Sequence, residues 1–474
     1  MALFLVVLIA AGTLAFGAVY AWGYVPLFTV AAGMGLWGLR RGGVAPEMRP
    51  LATALLLVWF AVSVQLVPLP QSLVEWLSPA TASLSAGYHL AVPGGAEGWL
   101  PLSVDPARTR VALLALGALG VYLLGMPALL PAQALRALPP ALAIFAVPLA
   151  LFSLYNREHT NNLVYWFWVP VESARGNVFG PFVNRNHYGG WMLMTLSVLV
   201  GWLFGRIEGT LPGRQAARVR LAGWLSSGEA SGIVLMALAV LVGALSLVWT
   251  VSRSAILSFG AASVAFAWLV LARRRLSHAR RAIGLVILAT VLLAPVLRRG
   301  PVELLEWFQD NNLTSRVDAW RDGWDVIRAF PWTGTGLNTY SVAMLFYQTR
   351  NRDSHMSRAH NDYVQLLAEG GVLVAVPAAV AVIVLAAAIR RNLRAARAEG
   401  RGYWIRAGSA VGLVAMAIQE TLEFSLQIPV NALLFCTLAA IALAPAVATA
   451  RVTPSPRDNM PASRKPADVS VPEV

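Results

Sequence analysis

The stretch AHNDYVQLLAEGGVLVAVPAAVAVIVLAAAIRR, residues 359–391, decides the fold class. It begins with a histidine and other polar side chains, continues as an apolar run over 371–389 and ends in arginines. An apolar run of about 20 residues is the length that an α-helix needs to cross a bilayer. The stretch therefore predicts a membrane-spanning helix with titratable residues at one end and arginines at the other.

Apolar runs of the same kind recur along the whole chain. The 474 residues are 57% hydrophobic and only 13% charged, whereas a soluble domain carries roughly 25% charged residues. This deficit excludes a water-soluble domain of this size, and we predict an all-α polytopic membrane protein with about twelve transmembrane helices. The predicted spans cover residues 2–20, 22–39, 50–67, 109–130, 137–155, 187–205, 232–251, 254–272, 282–297, 371–389, 407–422 and 429–449.

Arginines collect in the connections on one predicted side of the membrane. The largest clusters, at 273–281 and 390–406, follow the eighth and tenth spans. Because basic residues accumulate in cytoplasmic loops, both termini are expected to be cytoplasmic. The same pattern accounts for the net charge of +14 without a nucleic-acid partner. It places three long periplasmic segments on the opposite side, at residues 68–108, 156–186 and 298–370.

The largest periplasmic segment, 298–370, lies between spans nine and ten and is nearly neutral. We therefore divide the chain into N-terminal transmembrane helices, 1–180, a second transmembrane part that includes this loop, 181–450, and a tail, 451–474. The Pro- and Ser-rich composition of the tail predicts a disordered cytoplasmic segment. The single cysteine, Cys436, leaves no disulfide within the chain and argues against a thiolate metal site.

Within the large loop, LTSRVDAWRDGWDVIRAFPWTGTG, residues 313–336, has the apolar spacing of an amphipathic helix. Thr314 or Ser315 is the expected cap, and Pro331 is the expected stop. Such a helix is expected to lie on the bilayer or on a neighbouring helix. Its predicted apolar face consists of Val317, Trp320, Trp324 and Ile327.

Three arginines on the periplasmic side are candidates for binding an anion. Arg253 stands where two spans meet, and a charge at that depth is costly unless it is paired or functional. Arg185 opens the sixth span beside Asn186 and His187, and Arg316 begins the loop helix. Each arginine also has a purely structural explanation. Arg253 could reach lipid phosphate, Arg185 could belong to a helix cap with an interfacial anchor, and Arg316 could form an ordinary surface ion pair.

Titratable side chains accompany these arginines. His360, beside Asn361, opens the tenth span, and an imidazole can take up and release a proton near neutrality. On a helix, His360 would share an apolar face with Val364. Glu420 and Glu423 lie between the last two spans, where a carboxylate needs a cationic partner. In the structural alternatives, His360 only packs on an apolar face, and Glu420 and Glu423 only belong to a short polar hairpin.

Together these residue types suit a lipid-linked anionic substrate. Guanidinium groups bind phosphate through paired hydrogen bonds without a metal, and they can stabilise a departing pyrophosphate. A base within reach of an acceptor hydroxyl would complete a group transfer. Since no cluster in the sequence has convincing metal-ligand spacing, we expect neither a metal nor a cofactor.

Three motifs give the chain a family resemblance. SRSAILSF (252–259), SRVDAWRDGWDVIRAFPWTGTGLNTY (315–340) and AHNDYVQLLAEGG (359–371), in this order and separated by spans, resemble the bacterial O-antigen ligase and polymerase family. Their order and sidedness make the set more specific than any one motif. Segments that resemble the upstream part of such proteins are QLVPLP (65–70), LSVDPARTR (102–110) and GPFVNRNHYGG (180–190).

The resemblance implies a membrane fold of the GT-C type in the bacterial inner membrane. It implies transfer of a glycan from undecaprenyl pyrophosphate at the periplasmic face, without a metal and with inversion at the anomeric carbon. Arg253 and Arg316 match the arginines that hold the pyrophosphate, with Arg185 as a further phosphate ligand. His360 matches the histidine proposed to activate the acceptor. An acid corresponds to either Glu420 or Glu423, and the supporting residues are Asn186, His187 and Asn361.

The acceptor stays open at this point. A ligase would use lipid A-core, a polymerase another lipid-linked glycan, and an oligosaccharyltransferase a protein hydroxyl. We favour a ligase, with a polymerase as the nearest alternative. A flippase or transporter of a lipid-linked sugar would want charges along a path near the middle of the bilayer. The predicted spans place most of their charges at one face instead.

Overall fold

The protein is almost entirely helical in the part that the computed structural model describes. That part covers residues 1–91, 98–159, 161–170, 178–210, 228–274, 312–352 and 354–446 and most positions between 276 and 289. Its helices are α1 (Ala2–Leu14), α2 (Ala21–Gly42), α3 (Arg49–Val64), α4 (Gln71–Leu77), α5 (Pro79–Ala91), α6 (Pro106–Gly125), α7 (Ala132–Glu158), α8 (Arg185–Thr210), α9 (Gly228–Trp249), α10 (Arg253–Ala272), α11 (Asn312–Ala329), α12 (Tyr340–Tyr347), α13 (Asp362–Ala395), α14 (Arg401–Gln419) and α15 (Pro429–Leu443). Two short strands, β1 (Leu69–Pro70) and β2 (Trp99–Leu100), pair antiparallel.

Seven helical segments of the described part are long and apolar enough to cross a membrane. They are Pro46–Val64, Pro106–Leu129, Ala132–Glu158, Arg185–Gly209, Gly228–Trp249, Arg253–Ala272 and Asp362–Ala398. The predicted all-α fold of a multi-pass membrane protein is confirmed, whereas the count of twelve spans and the GT-C type stay predictions. Most of the ninth predicted span, 282–297, part of the loop at 298–311 and the tail at 451–474 lie outside the described residues.

The helix α8 forms the centre of the bundle. It is buried along nearly its whole length, and α14 packs along it. A Cβ on Gly201 would lie 2.4 Å from the carbonyl oxygen of Trp404, and one on Gly408 would lie 2.5 Å from that of Ser197. Small residues allow such close approach of two helices in a membrane protein. This crossing sets the position of α8, whose first residues belong to the site described below.

The helix α13 presents an apolar flank at the surface of the bundle. Val376 is 55% exposed, Val382 is 65% exposed and Ile383 is 66% exposed. The helix α3 packs against another part of α13. A continuous exposed apolar surface of this kind indicates contact with membrane lipid. The run 371–389 therefore has the surface of a lipid-facing span.

The two largest arginine clusters meet at one end of the bundle. Arg273 pairs with Glu208 at 3.0 Å, and each side chain is only 8% exposed. Arg273 also donates a 3.0 Å hydrogen bond to the carbonyl oxygen of Arg397. This contact joins the clusters 273–281 and 390–406, which the sequence placed on the same side of the membrane. Arg273 thus stabilises the packing of the bundle in addition to adding positive charge on this side of the membrane.

The loop helix α11 differs from its prediction at its start. Thr314 and Ser315 lie inside the helix, so neither is its cap, while the helix ends at Ala329, two residues before the expected stop. Trp324 of the predicted apolar face is 49% exposed, so this face does not pack as a whole against the protein, and its contact with the bilayer stays a prediction. Asp322, a carboxylate buried by pairing with an arginine, lies on the inner face instead, where no hydropathy pattern assigns it. The buried face consists of Ala319, Asp322, Gly323 and Val326.

A buried carboxylate fastens the loop to the start of α13. Glu369 is 4% exposed and accepts hydrogen bonds from the backbone nitrogens of Asn338 at 2.8 Å and Tyr340 at 2.9 Å. The amide of Gln365 donates to the same carboxylate at 3.0 Å. From the N-terminal helices, Gln65 Nε2 donates to the carbonyl oxygen of Glu369 at 2.9 Å. The loop is therefore bound both by residues before position 180 and by residues after it. The division of the chain at residue 180 stays a prediction.

A tight turn brings the loop backbone against α13. Gly334 has a φ of +64°, which L side chains rarely adopt. A Cβ at this position would also lie 2.2 Å from the carbonyl oxygen of Glu369. Gly371 opposes it with a φ of +53°, inside α13. The two glycines let the loop and the helix touch through their backbones.

We expect Gly334→Ala to destabilise the protein. The left-handed backbone costs a non-glycine residue about 1–2 kcal/mol, and the clash with Glu369 adds to that cost. The melting temperature in detergent is the measurement, with Gly260→Ala as the matched control. Gly260 lies in a helix, and a Cβ on it would meet nothing within 4 Å among the described residues. Equal melting temperatures for the two variants would contradict the proposed close approach.

Candidate active site

Glu423 is the centre of a polar cluster at one end of the bundle. Its side chain is fully buried and forms an ion pair with Arg316 from the loop helix. The amide of Asn186, at the start of α8, donates to the same oxygen, Oε1, at 2.6 Å. The other oxygen, Oε2, lies 3.5 Å from Nδ1 of His360. One carboxylate thus joins three segments that are far apart in the sequence.

The hairpin between α14 and α15 holds Glu423 in place. Gln419 donates from Nε2 to the carbonyl oxygen of Asn186 at 3.1 Å, and Ser425 donates to the same oxygen at 3.3 Å. Asn431, at the start of α15, donates to the carbonyl oxygen of His187 at 3.0 Å. Side chains in and beside the hairpin are therefore bound to backbone carbonyl oxygens in the first turn of α8, which fixes the Glu423 carboxylate beside Asn186.

His360 lies before the helix rather than on it. Asn361 caps α13 by accepting hydrogen bonds from the backbone nitrogens of Tyr363 at 3.0 Å and Val364 at 3.1 Å, and the helix begins at Asp362. The expectation that His360 shares a helical face with Val364 is therefore wrong. Because Asn361 is the cap, the preceding residue leaves the helical conformation, and His360 has a φ of +49°.

This backbone turns the imidazole of His360 towards Glu423. The side chain is 30% exposed, and Nδ1 is the nitrogen on the carboxylate side. The ring also meets Phe424 edge-on, with centroids 5.0 Å apart. The second nitrogen, Nε2, makes no hydrogen bond to the described part of the chain and stays available to an incoming group. The arrangement is that of a base whose orientation is set by an acid.

Phe424 also contacts the second predicted histidine. The ring of His187 lies 4.9 Å from that of Phe424, again edge-on, and His187 is only 4% exposed. Neither ring nitrogen of His187 has a hydrogen-bond partner within the described residues. His187 therefore packs behind the cluster and does not contact Glu423, whereas Asn186 does.

The arginines gather around the same carboxylate. Arg316, Arg253 and Glu423 all lie close enough to Arg185 to act on its charge electrostatically. Arg253 is the first residue of α10, and the Ser252 side chain caps that helix by accepting from a backbone nitrogen. Arg316 thus contacts the carboxylate, and Arg185 lies within electrostatic range of the carboxylate and of Arg253. Several guanidinium groups near one carboxylate leave a net positive site that suits an anion.

Sequence reasoning missed a further arginine. Arg157, in the last turn of α7, is half-buried and lies close enough to Arg185 for their charges to interact. The helix α7 reaches the start of α8 because Ser153, one turn before Arg157, packs on Gly180. The available signal was a basic residue near the beginning of the predicted periplasmic segment 156–186.

The two candidate carboxylates have different neighbours. The carbonyl oxygen of Glu420 accepts from the backbone nitrogen of Asp362 at 3.0 Å, and Gln427 donates to the Asp362 carboxylate at 2.6 Å. Glu420 is buried but makes none of the contacts to Arg316 or His360 that Glu423 makes within the described chain. The backbone of Glu420 thus ties the hairpin to α13, and Glu423 faces the cationic groups.

The charges around Glu423 keep it ionised. Burial alone would raise its pKa, but the contact with His360 and the charge of Arg316 outweigh burial and hold the pKa below its ordinary value. Among the described residues, no group of three or more His, Cys, Asp or Glu side chains could hold a metal ion. The expected independence from metals stays a prediction.

Residues 238–379 match the family model for O-antigen ligase. This segment is similar to an O-antigen ligase domain. The matched segment includes Arg253, Arg316 and His360, while Arg185 and Glu423 lie on either side of it. The candidate site is therefore assembled from the matched segment and from flanking helices. No curated protein matches the chain.

We expect Glu423→Gln to lower the melting temperature at neutral pH, because losing one partner of a buried ion pair costs about 3 kcal/mol. Because the folded protein lowers the pKa of Glu423, the ion pair stabilises the fold at pH values above the ordinary carboxyl pKa. This stabilisation is lost as the pH falls through the pKa that Glu423 has in the folded protein. The difference between the variant and the wild type should therefore shrink on acidification.

Melting temperatures from pH 7 downwards provide the measurement. The control is Glu75→Gln, because Glu75 is exposed and its carboxylate accepts a hydrogen bond only from Gln71 among the described residues. A gap between Glu423→Gln and the wild type that stays constant down to the lowest pH would mean that Glu423 is not an ionised partner of Arg316.

Proposed function

We propose that the protein is a membrane glycosyltransferase of surface-polysaccharide assembly in the bacterial inner membrane. It transfers a glycan from undecaprenyl pyrophosphate to an acceptor hydroxyl at the periplasmic face, and lipid A-core is the favoured acceptor. The observation that carries the proposal is the buried Glu423 carboxylate, which holds Arg316 and His360 in one site. The similarity to an O-antigen ligase domain supports the same reaction class.

The reaction is a single displacement at the anomeric carbon. The acceptor oxygen forms a bond to that carbon as the bond to the pyrophosphate oxygen breaks, so the configuration inverts. The electron pair leaves with undecaprenyl pyrophosphate, and the hydroxyl proton passes to His360. Nε2 is the nitrogen that takes it, because Nδ1 faces Glu423 at 3.5 Å. A positioned base contributes typically 10²–10⁴-fold to such a step, as an order of magnitude.

Glu423 acts on both reacting partners. Towards His360 it orients the ring and stabilises the imidazolium that forms as the proton arrives. Towards Arg316 it fixes one end of the guanidinium, which leaves the other N–H groups for the phosphates. Arg316 is 20% exposed and donates to no other described residue, so these groups are accessible. We therefore assign the catalytic acid to Glu423 rather than Glu420.

Arg185, Arg253 and Arg316 hold the pyrophosphate. Negative charge grows on the leaving group as its bond to the sugar breaks, and guanidinium groups already in place stabilise that charge without reorganisation. Asn186 and Asn361 support the site, the first by binding Glu423 and the second by capping the helix behind His360. The location of these charged groups at the ends of helices favours an enzyme over a flippase with a charged transmembrane path.

We expect His360→Ala to abolish transfer while the protein still folds. Purified protein is incubated with an undecaprenyl-pyrophosphate oligosaccharide, first alone and then with lipid A-core, and the products are followed by mass spectrometry. A chelator is present throughout, so the same assay tests metal independence. The control is His355→Ala, since His355 is an exposed histidine of the same loop that contacts Ser341.

Each outcome of this assay has a definite meaning. Product with lipid A-core in the wild type and His355→Ala, but not in His360→Ala, supports the ligase. Longer lipid-linked chains without added acceptor would show a polymerase instead. Normal transfer by His360→Ala would remove the proposed base, and translocation of intact donor without any transfer would favour a flippase.

We expect Arg185→Ala and Arg253→Ala to weaken donor use. Each variant loses a cation that binds the pyrophosphate, so kcat/KM for the donor should fall at least about tenfold, as for loss of a charge-assisted hydrogen bond. Arg352→Ala is the matched control, because Arg352 is an exposed arginine in the turn that follows α12. An equal effect at all three positions would point to overall surface charge and would contradict a pyrophosphate site.

A further inference from the structure

A separate groove lies on the outward side of the loop helix α11. It has a volume of about 490 Å³ and is lined by Arg321, Trp324, Asp325, Arg328 and Arg350. None of these side chains contacts Glu423 or His360 within the described residues. The groove is therefore distinct from the candidate active site, although α11 carries both the groove and Arg316.

One wall of the groove is fixed by a buried ion pair. Asp322 is 1% exposed and accepts a 2.6 Å hydrogen bond from Nη1 of Arg350. The hydroxyl of Thr349 donates to the same carboxylate at 2.9 Å. Arg350 also reaches Asp325 at 3.2 Å. The turn after α12 is thus clamped against α11, and Arg350 is held in place before any ligand arrives.

The charges of the groove balance one another. Arg328 lies 3.3 Å from Asp325, Arg321 lies 3.6 Å from Asp318, and Arg350 pairs with Asp322. Each of these three arginines therefore has an aspartate partner. A balanced set of donors and acceptors suits a ligand with many hydroxyl groups better than a phosphate.

Trp324 adds a flat apolar surface between these polar groups. Its side chain is 49% exposed, although it belongs to a helix whose other side is packed on α13. An indole face binds the C–H face of a sugar ring, while the neighbouring arginines and Asp325 can bind its hydroxyls. Trp324 lies eight residues after Arg316, about 12 Å along the helix axis. A chain of a few sugar rings covers that distance.

From this geometry we propose that the groove binds the glycan chain of a substrate, away from the bond that reacts. Trp324 stacks on a sugar ring, and the paired arginines and aspartates bind hydroxyl groups. This inference deepens the proposed function and rests on it. It assigns to α11 two tasks: Arg316 acts at the pyrophosphate end, and Trp324 holds the saccharide further along.

The test uses a short oligosaccharide released by mild acid from the cell's own surface polysaccharide, free of lipid and pyrophosphate. Binding to full-length protein is followed by saturation-transfer NMR of the sugar protons. The measurement is made in the His360→Ala background, so no turnover is needed. Trp324→Ala should weaken binding at least about tenfold, and Trp324→Tyr should retain most of it, because a tyrosine ring can also stack.

The matched control is Trp332→Ala. Trp332 is 65% exposed on the same loop but does not line the groove. Unchanged binding by Trp324→Ala, or an equal loss in Trp332→Ala, would overturn the proposal. Fluorescence quenching by brominated lipid provides a second check. If the quenched signal disappears in Trp324→Ala, the indole lies in the membrane, and the proposal is overturned.

The same variants separate this inference from the proposed function. In an otherwise wild-type protein, Trp324→Ala should raise KM for the long-chain substrate and leave kcat nearly unchanged. Sugar binding that depends on Trp324, without transfer by any variant, would keep the groove and reject the transferase. Transfer with a KM unaffected by Trp324→Ala would keep the transferase and reject the groove.

Discussion

The buried charge of Glu423 is the constraint on which the rest of the site depends. A carboxylate without access to water is strongly unfavourable unless cations and hydrogen-bond donors surround it. Here Arg316, His360 and Asn186 fill that role, and each comes from a different part of the chain. The loop helix, the residue before α13 and the first turn of α8 must therefore meet for the charge to be tolerated.

A second buried carboxylate, Glu369, extends this principle to the loop. Its partners Asn338 and Tyr340 belong to the loop, and Gln65 reaches its backbone from the N-terminal helices. A loop fixed at both carboxylates has little freedom to move Arg316 away from His360. Under the proposed function, the site is thus preorganised for an anionic donor.

The sequence predicted much of this arrangement, but not its contacts. Length and hydropathy place the helices because a bilayer imposes both, and the cost of charge near lipid singled out Arg253 and the pair Glu420 and Glu423. Hydropathy could not choose between Glu420 and Glu423, since both lie in one short hairpin whose turn decides which side chain points at Arg316. It also did not reveal the inner face of α11, where pairing with Arg350 buries Asp322. Partners distant in sequence are set by packing, which one sequence does not reveal.

The left-handed backbone of His360 has an evolutionary consequence. A non-glycine residue in this conformation costs of order 1–3 kcal/mol, and the cap at Asn361 maintains it. Glycine would relieve that strain, and asparagine would tolerate it better than most residues. Under the proposed function, the histidine at position 360 is retained at a cost in stability. A relative that no longer needed the proposed base could carry glycine or asparagine there and keep its transmembrane helices.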